Sequence, residues 1–245
     1  MDYTSPQTQF TYDLSCNTVF KKDPANFLNE LSIKQLNTLD NLSLLDIYLS
    51  KSNVVEPHYH QNASELVYGI CGSAVVSLLN PFTKELLNFL LCPGQVVNIP
   101  QGWWHYEVAT VDHTHLLAIF NAPIPETIYG SDILSLTPAN VLAHTYCLDE
   151  TKVKEALAPI KETTVIGPPV GCCEPGKAHG AMNAMPMGAM NAMPQPYYMI
   201  PQMTTGYGYG AASMPGYFAQ GYAQQYRQQP YVQEPYRSNP GDPEQ

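Results

Sequence analysis

The chain contains 245 residues, a length typical of one large domain or two small ones. It carries 11 Lys and Arg against 21 Asp and Glu, so its formal net charge is −10, and only 13% of its residues are charged. This acidic balance argues against sequence-independent binding to nucleic acid and against a basic membrane-surface protein, because both depend on clustered cations.

The N-terminal residues predict an arm over residues 1–25 and no export signal. Residues 1–20 lack both a basic segment and a continuous apolar run, so we expect no signal peptide and synthesis in the cytoplasm. Free thiols are therefore expected for the six Cys, and no segment is apolar for long enough to span a membrane. Asp23 and Pro24 are typical of the first residues of a helix, which predicts one or two helical turns over residues 23–30.

Short β-like runs follow at intervals of roughly ten residues, separated by turn residues. These runs cover residues 42–49, 54–60, 65–70, 74–79, 85–91, 95–99, 106–109 and 114–120. Many short strands without intervening helices predict an all-β antiparallel sandwich or barrel. One helix is predicted after them, over residues 149–157. The folded domain is therefore expected to cover residues 26–160.

The composition changes sharply in the last part of the chain. Residues 171–245 hold 8 of the 9 Met, 9 of the 17 Tyr and 10 of the 22 Pro, but no Leu. Such a segment cannot bury enough apolar surface to offset its chain entropy. We therefore predict a disordered, low-complexity tail over residues 161–245, rich first in Met, Pro and Gly and later in Tyr and Gln. Cys172 and Cys173 could bridge two chains, with idle thiols as the favoured alternative.

Three histidines and one glutamate stand at spacings that predict a metal site inside the barrel. These residues are His58, His60, Glu65 and His105. His58 and His60 are two residues apart, so on a strand they point to the same face. Glu65 opens the next strand, and a Pro-x-Gly turn can bring His105 back toward the same interior. Imidazole suits several transition metals and the carboxylate favours Mn or Fe, so we predict Mn, with Fe, Ni and Zn as alternatives.

The same residues lie in two segments that resemble the two-part signature of the cupin superfamily. The first segment is PHYHQNASE at residues 57–65, continued to Gly72, and the second is GQVVNIPQGWWH at residues 94–105. Two positions depart from the signature, since Ser52 stands where a Gly is expected and Ala109 where an Asn is expected. Neither is a metal ligand. The resemblance implies a double-stranded β-helix, also called a jelly-roll barrel, with a short C-terminal helical segment.

Over residues 16–160, the order of these pieces is similar to one domain of the bicupin oxalate decarboxylases and, less closely, to the germin oxalate oxidases. This resemblance implies that Mn is held by His58, His60, Glu65 and His105. It also implies a small carboxylate as the ligand and a homo-oligomer, because single-domain relatives commonly associate.

The catalytic residues of the oxalate decarboxylases are matched less well. Those enzymes hold the substrate carboxylate with an Arg three residues before the first metal His, where this chain has Val55, and residues 1–170 contain no Arg. They also use a lid Glu as general acid, and the matching stretch here offers only Glu126. Glu56, two residues before His58, is the other candidate acid–base group, with an outward, solvated Glu as an equally good alternative.

Two functions of different classes therefore stay open. One is a Mn-dependent enzyme that acts on a small carboxylate as the oxalate decarboxylases or oxidases do. The other is a structural protein of a spore coat or surface layer, in which the barrel is an oligomeric scaffold. Its Tyr- and Gln-rich tail would then contact other tails or coat partners, because such sequences promote weak multivalent association.

Overall fold

A computed structural model describes residues 2–172, and its twelve strands form two antiparallel β-sheets. In order across the first sheet, the strands are β1 (Thr18–Asp23), β2 (Asn26–Leu31), β3 (Ser43–Leu49), β10 (Thr114–Phe120), β5 (Glu65–Cys71) and β8 (Val96–Ile99). In the second sheet they are β11 (Ile128–Tyr129), β4 (Val54–Tyr59), β9 (His105–Ala109), β6 (Ala74–Leu79) and β7 (Leu86–Leu91), and β12 (Ile166–Gly167) also pairs with β4. The predicted tail from residue 173 onward, with Cys173, lies outside the described residues.

The eight strands that the sequence predicts are all present, and each of their ends lies within one residue of the prediction. Alternate side chains of β10, from Thr114 to Phe120, are buried, as expected for a strand with one face on the core. The core lies between the two sheets, with Val67 and Leu116 from the first sheet and Val76 from the second completely buried. The predicted all-β class and the jelly-roll barrel are confirmed.

The helix predicted over residues 23–30 is wrong. The Asp23 carboxylate accepts hydrogen bonds from the Ala25 amide (2.8 Å) and the Asn26 side chain (2.9 Å), but these bonds close a turn between β1 and β2. From Phe27 onward the chain pairs with β3, and Leu28 is buried in the core. Sheet pairing and burial therefore outweigh the local helix signal.

The sheets extend past residues 26–160 at both ends. β1 lies in the segment assigned to the N-terminal arm, 1–25, and β12 lies in the segment assigned to the tail, 161–245. Ile166 of β12 is only 1% exposed and is the pairing partner of Val55 in β4. Burial of Ile166 and its pairing with β4 help to join the segment after residue 160 to the barrel.

Three short helices follow the last long strand of the barrel. They are α1 (Gly130–Leu136), α2 (Ala139–Tyr146) and α3 (Glu150–Leu157). The prediction from the residues identified α3, whose N-cap Asp149 accepts a hydrogen bond from the Lys152 amide (3.1 Å). It gave no bounds for α1 and α2. Among residues 2–172, no helix combines the length and the apolar character that crossing a bilayer requires.

The departure from the cupin signature at Ser52 has a conformational cost. Ser52 has a φ of 67°, in the left-handed region that side chains disfavour, while its amide donates to the Ala109 carbonyl (2.9 Å). We expect Ser52→Gly to raise the free energy of unfolding by about 1 kcal/mol, measured by urea denaturation. The matched control, Ser64→Gly, lies outside the left-handed region and should lower it by about 0.5–1 kcal/mol. Equal losses in both variants would contradict the prediction.

Candidate metal centre

The four predicted ligands converge inside the barrel, and they are called the His/Glu cluster below. The cluster consists of His58 in β4, His60 just after β4, Glu65 at the start of β5 and His105 at the start of β9. One potential ligand atom of each residue lies within 4.8 Å of those of the other three. Each of the four residues is at most 4% exposed. The cluster can therefore hold a metal ion shielded from bulk solvent.

Strand pairing explains why distant residues meet here. His58 and His105 are directly opposite each other in the β4–β9 pair, with ring centroids 4.0 Å apart. The amide of Gly102, in the predicted Pro-x-Gly turn, donates to the His60 carbonyl (3.0 Å). This bond connects the turn before β9 to the end of β4, so the turn brings His105 toward the other imidazoles as the sequence predicts.

Backbone carbonyls fix the orientation of all three imidazole rings. Each ring directs Nδ1 at a carbonyl oxygen, which can only accept, so each Nδ1 donates a proton there and Nε2 faces the interior of the cluster. These bonds join His58 to Glu56 (2.7 Å), His60 to Glu126 (3.1 Å) and His105 to Trp103 (2.8 Å). The rings are thus held in the orientation that presents Nε2 to a metal ion.

The electrostatics of the cluster suit a bound cation. Burial alone would raise the pKa of Glu65, but the hydrogen bond from His105 and charge attraction from His105 and His60 outweigh it and hold the pKa well below its usual range. Burial opposes protonation of His105, yet the 2.9 Å bond to Glu65 raises its pKa to about 9. Burial and the neighbouring His105 charge lower the pKa of His58. The carboxylate therefore stays ionised and attracts positive charge into the barrel.

The surroundings of Nε2 of His60 show whether a metal ion fits the cluster. Nε2 of His60 is buried and has no hydrogen-bond partner among residues 2–172, although it lies 3.3 Å from Glu65. A buried ring nitrogen without a partner is costly, and a metal ion would satisfy it. Once the proton on Nε2 of His105 is released, three imidazoles and one carboxylate form a donor set that first-row divalent metals accept. The residues present therefore fit a divalent metal.

The carboxylate of Glu56, a predicted acid–base candidate, is engaged in a separate network. It accepts hydrogen bonds from the Ser131 amide (3.0 Å) and hydroxyl (2.8 Å), and from the amides of Thr164 (3.0 Å) and Val165 (2.8 Å). Glu56 is only 7% exposed, so it is not the outward, solvated residue of the alternative interpretation. Its side chain joins β4 to α1 and to the segment before β12, while its backbone carbonyl holds His58.

Glu126, the other predicted acid–base candidate, has an exposed side chain. Its carboxylate accepts a hydrogen bond from the Gln61 side chain (3.1 Å), and its backbone carbonyl holds His60. The backbone of residue 126 therefore contributes to the ligand geometry, while its carboxylate lies at the surface. The catalytic roles of Glu56 and Glu126 stay predictions.

Glu107 is a buried carboxyl beside the cluster that the sequence analysis missed. It lies in β9, two residues after His105, and its Oε1 is 3.9 Å from the Nε2 of that ring. Burial and the negative charge of Glu65 raise the pKa of Glu107 to about 8. The signal for it was available, because residues two apart on a strand share a face.

Two aromatic side chains border the cluster. Phe120 of β10 packs edge-on against His60 with centroids 4.7 Å apart, and Tyr129 of β11 lies 5.6 Å from His58. Burial, together with the charge of Glu56, raises the pKa of Tyr129 above its ordinary value, so its hydroxyl stays neutral. These two rings pack beside the imidazoles and help to shield them from solvent.

Comparisons with known proteins agree with this geometry. Residues 24–154 match the family model described as Cupin. Over 131 residues the chain is 30% identical to Germin-like protein subfamily 2 member 1 of Arabidopsis thaliana, covering 51% of this chain and 59% of that protein. Over 128 residues it is 27% identical to Glycinin G4 of Glycine max, covering 52% of this chain and 23% of that protein. The match thus spans 23% to 59% of the length of these two relatives.

A solved structure has the same fold. The oxalate decarboxylase from Bacillus subtilis aligns with a TM-score of 0.57 at 23% identity, covering 66% of this chain and 43% of that chain. At this level of identity the likeness concerns the fold alone.

Proposed function

The chain belongs to the cupin family, and from this premise we propose that its barrel binds a divalent metal of the Mn type and, at that metal, a small carboxylate. The observation that carries the proposal is the convergence of four buried ligand atoms, from the His/Glu cluster, within 4.8 Å. The fixed orientations of the three rings and the unpartnered Nε2 of His60 support it further.

Manganese is the metal that the available observations favour. A carboxylate beside three imidazoles favours Mn or Fe over softer metals. The oxalate decarboxylase of Bacillus subtilis, which has the same fold, contains Mn(II) centres. We therefore propose Mn, with Fe, Ni and Zn as the alternatives to be compared.

The chain's own residues would position the ligand and exclude water. When bound, Mn²⁺ would act as a Lewis acid toward carboxylate oxygens. The backbone carbonyls keep the three imidazoles oriented, and Phe120 and Tyr129 shield the cluster from solvent. Both Arg of the chain, Arg227 and Arg237, lie outside the described residues, so no guanidinium among residues 2–172 can pair with the ligand carboxylate.

An activity assay tests this proposal. The full-length, Mn-loaded protein is incubated with a panel of small mono- and dicarboxylates that includes oxalate, and carbon dioxide, formate and hydrogen peroxide are measured. We expect turnover of at least one acid, reduced at least about a hundredfold in His58→Ala. The exposed His144→Ala variant should retain full activity. Absence of turnover across the panel, with Mn bound, would contradict an enzymatic function.

A structural role is the second candidate, and exposed apolar side chains favour it. Tyr68 (38% exposed) and Val96 (47%) are paired neighbours in β5 and β8, and Ile70 (40%) lies beside them. Leu136 in α1 is 80% exposed. Such surfaces favour self-association, as a homo-oligomeric scaffold of a spore coat or surface layer requires. A full-length protein that stays monomeric at high concentration in light scattering would contradict this candidate.

A further inference from the structure

One buried carboxyl next to the cluster has no partner within the described chain. Glu107 is 1% exposed, and neither of its carboxyl oxygens has a hydrogen-bond partner among residues 2–172. Burying an unpaired carboxyl is strongly unfavourable, whatever its protonation state. A partner from outside the chain would remove this penalty.

The position of Glu107 indicates where that partner lies. Its side chain shares the inward face of β9 with His105, and its Oε1 is 3.9 Å from the Nε2 of that ring. Its pairing partners in the neighbouring strands are Val55 and Val76, both buried and apolar. Glu107 can therefore contact a polar group on the side that faces the cluster.

Glu107 borders the cluster without belonging to it. The converging ligand atoms that lie within 4.8 Å of one another come from His58, His60, Glu65 and His105, and Glu107 is not among them. A metal held by the four ligands would thus leave the Glu107 carboxyl available to a molecule bound beside His105.

The charge around this position disfavours a second carboxylate. No Lys or Arg is among the buried residues of the described chain, whereas the Glu65 carboxylate is buried here. A dicarboxylate bound at the metal would place its second anionic group where no buried Lys or Arg can pair with it. A hydroxyl or amino group in the same place would instead donate a hydrogen bond to Glu107.

We propose that Glu107 is a specificity-determining residue, which accepts a hydrogen bond from a hydroxyl or amino group next to the carboxylate of the metal-bound ligand. This inference rests on the proposed function, because the ligand is held by the metal in the His/Glu cluster. Glu107 shifts the selectivity of the centre toward α-hydroxy and α-amino monocarboxylates and away from dicarboxylates such as oxalate.

Ligand binding to the full-length, Mn-loaded protein tests the inference. Affinities for glycolate and oxalate are measured by electron paramagnetic resonance of the bound Mn(II) in wild type, Glu107→Gln and Glu107→Leu. We expect the ratio of glycolate affinity to oxalate affinity to fall at least about tenfold in both variants. The control is Glu85→Gln, which removes an exposed carboxylate and should leave the ratio unchanged.

Thermal unfolding of the metal-free protein separates a ligand role from a structural one. If Glu107 has no partner in the chain, Glu107→Leu should raise the unfolding temperature by about 2–4 °C, because an apolar side chain suits its place between Val55 and Val76. A lower unfolding temperature in Glu107→Leu would mean that the carboxyl stabilises the fold and would overturn the inference.

Metal content, measured first, distinguishes failure of the proposed function from failure of the inference about Glu107. A wild type that takes up no Mn overturns the proposed function and this inference with it. Metal lost specifically in Glu107→Gln makes Glu107 a ligand and overturns the inference alone. Bound metal with an unchanged affinity ratio also overturns the inference and leaves the proposed function standing.

Discussion

Metal-free protein is expected to unfold about 5–10 °C higher when Mn²⁺ is added at about a hundred times its dissociation constant. The shift arises because the folded state alone brings the four ligands of the His/Glu cluster together. His105→Ala should abolish it, since this variant removes one imidazole and leaves Glu65 without its 2.9 Å partner. Differential scanning calorimetry of chelator-treated protein, with and without Mn²⁺, measures the shift.

A second histidine variant provides the matched control. His144 is exposed on α2, so His144→Ala should show the full Mn²⁺-dependent shift. A shift in His105→Ala as large as that of the wild type would mean that the metal binds outside the cluster.

Glu56→Ala is expected to lower the free energy of unfolding by about 3–5 kcal/mol. The carboxylate accepts four hydrogen bonds, from Ser131, Thr164 and Val165, and its removal leaves those donors without their acceptor. Glu56→Gln should lower the free energy of unfolding by less, because the amide oxygen can still accept hydrogen bonds. Some loss remains, because the NH₂ group faces other donors. Urea denaturation monitored by circular dichroism measures the loss.

The control for this prediction is Glu126→Gln. The Glu126 carboxylate is exposed and accepts from Gln61 at 3.1 Å, so its replacement should change the free energy of unfolding by at most about 0.5 kcal/mol. Equal effects of Glu56→Ala and Glu126→Gln would show that the Glu56 network does not stabilise the barrel.

The local sequence pattern predicted most of the barrel because its strands are short, apolar and separated by turn residues. The same spacing placed His58 and His60 on one strand face and Glu65 at the next strand, as observed. The helix expected from Asp23 and Pro24 failed for a physical reason. The residues that make a good N-cap also close a tight hairpin, and only pairing with β3 decides between the two.

Contacts between distant segments could not be predicted in this way. Glu56 is 75 residues from Ser131 and 108 from Thr164, and no local pattern connects them. β12 is only two residues long, too short for a recognisable alternation, and it forms because Ile166 is buried against β4.

Glu107 was within reach of sequence reasoning. The predicted strand began at residue 106, which left His105 in the preceding turn and concealed that the two side chains share a face. In the structure β9 begins at His105, one residue earlier than predicted. With the correct boundary, the sequence would have placed a second buried carboxyl at the site.

Metal content of the purified full-length protein, set against a His58→Ala/His105→Ala variant, tests the central claim most directly. Inductively coupled plasma mass spectrometry measures metal per chain after both proteins are equilibrated with Mn²⁺ and desalted. The cluster predicts about one Mn per chain in the wild type and none in the variant. A wild type without metal, or a variant that retains as much as the wild type, would contradict a metal centre at these residues.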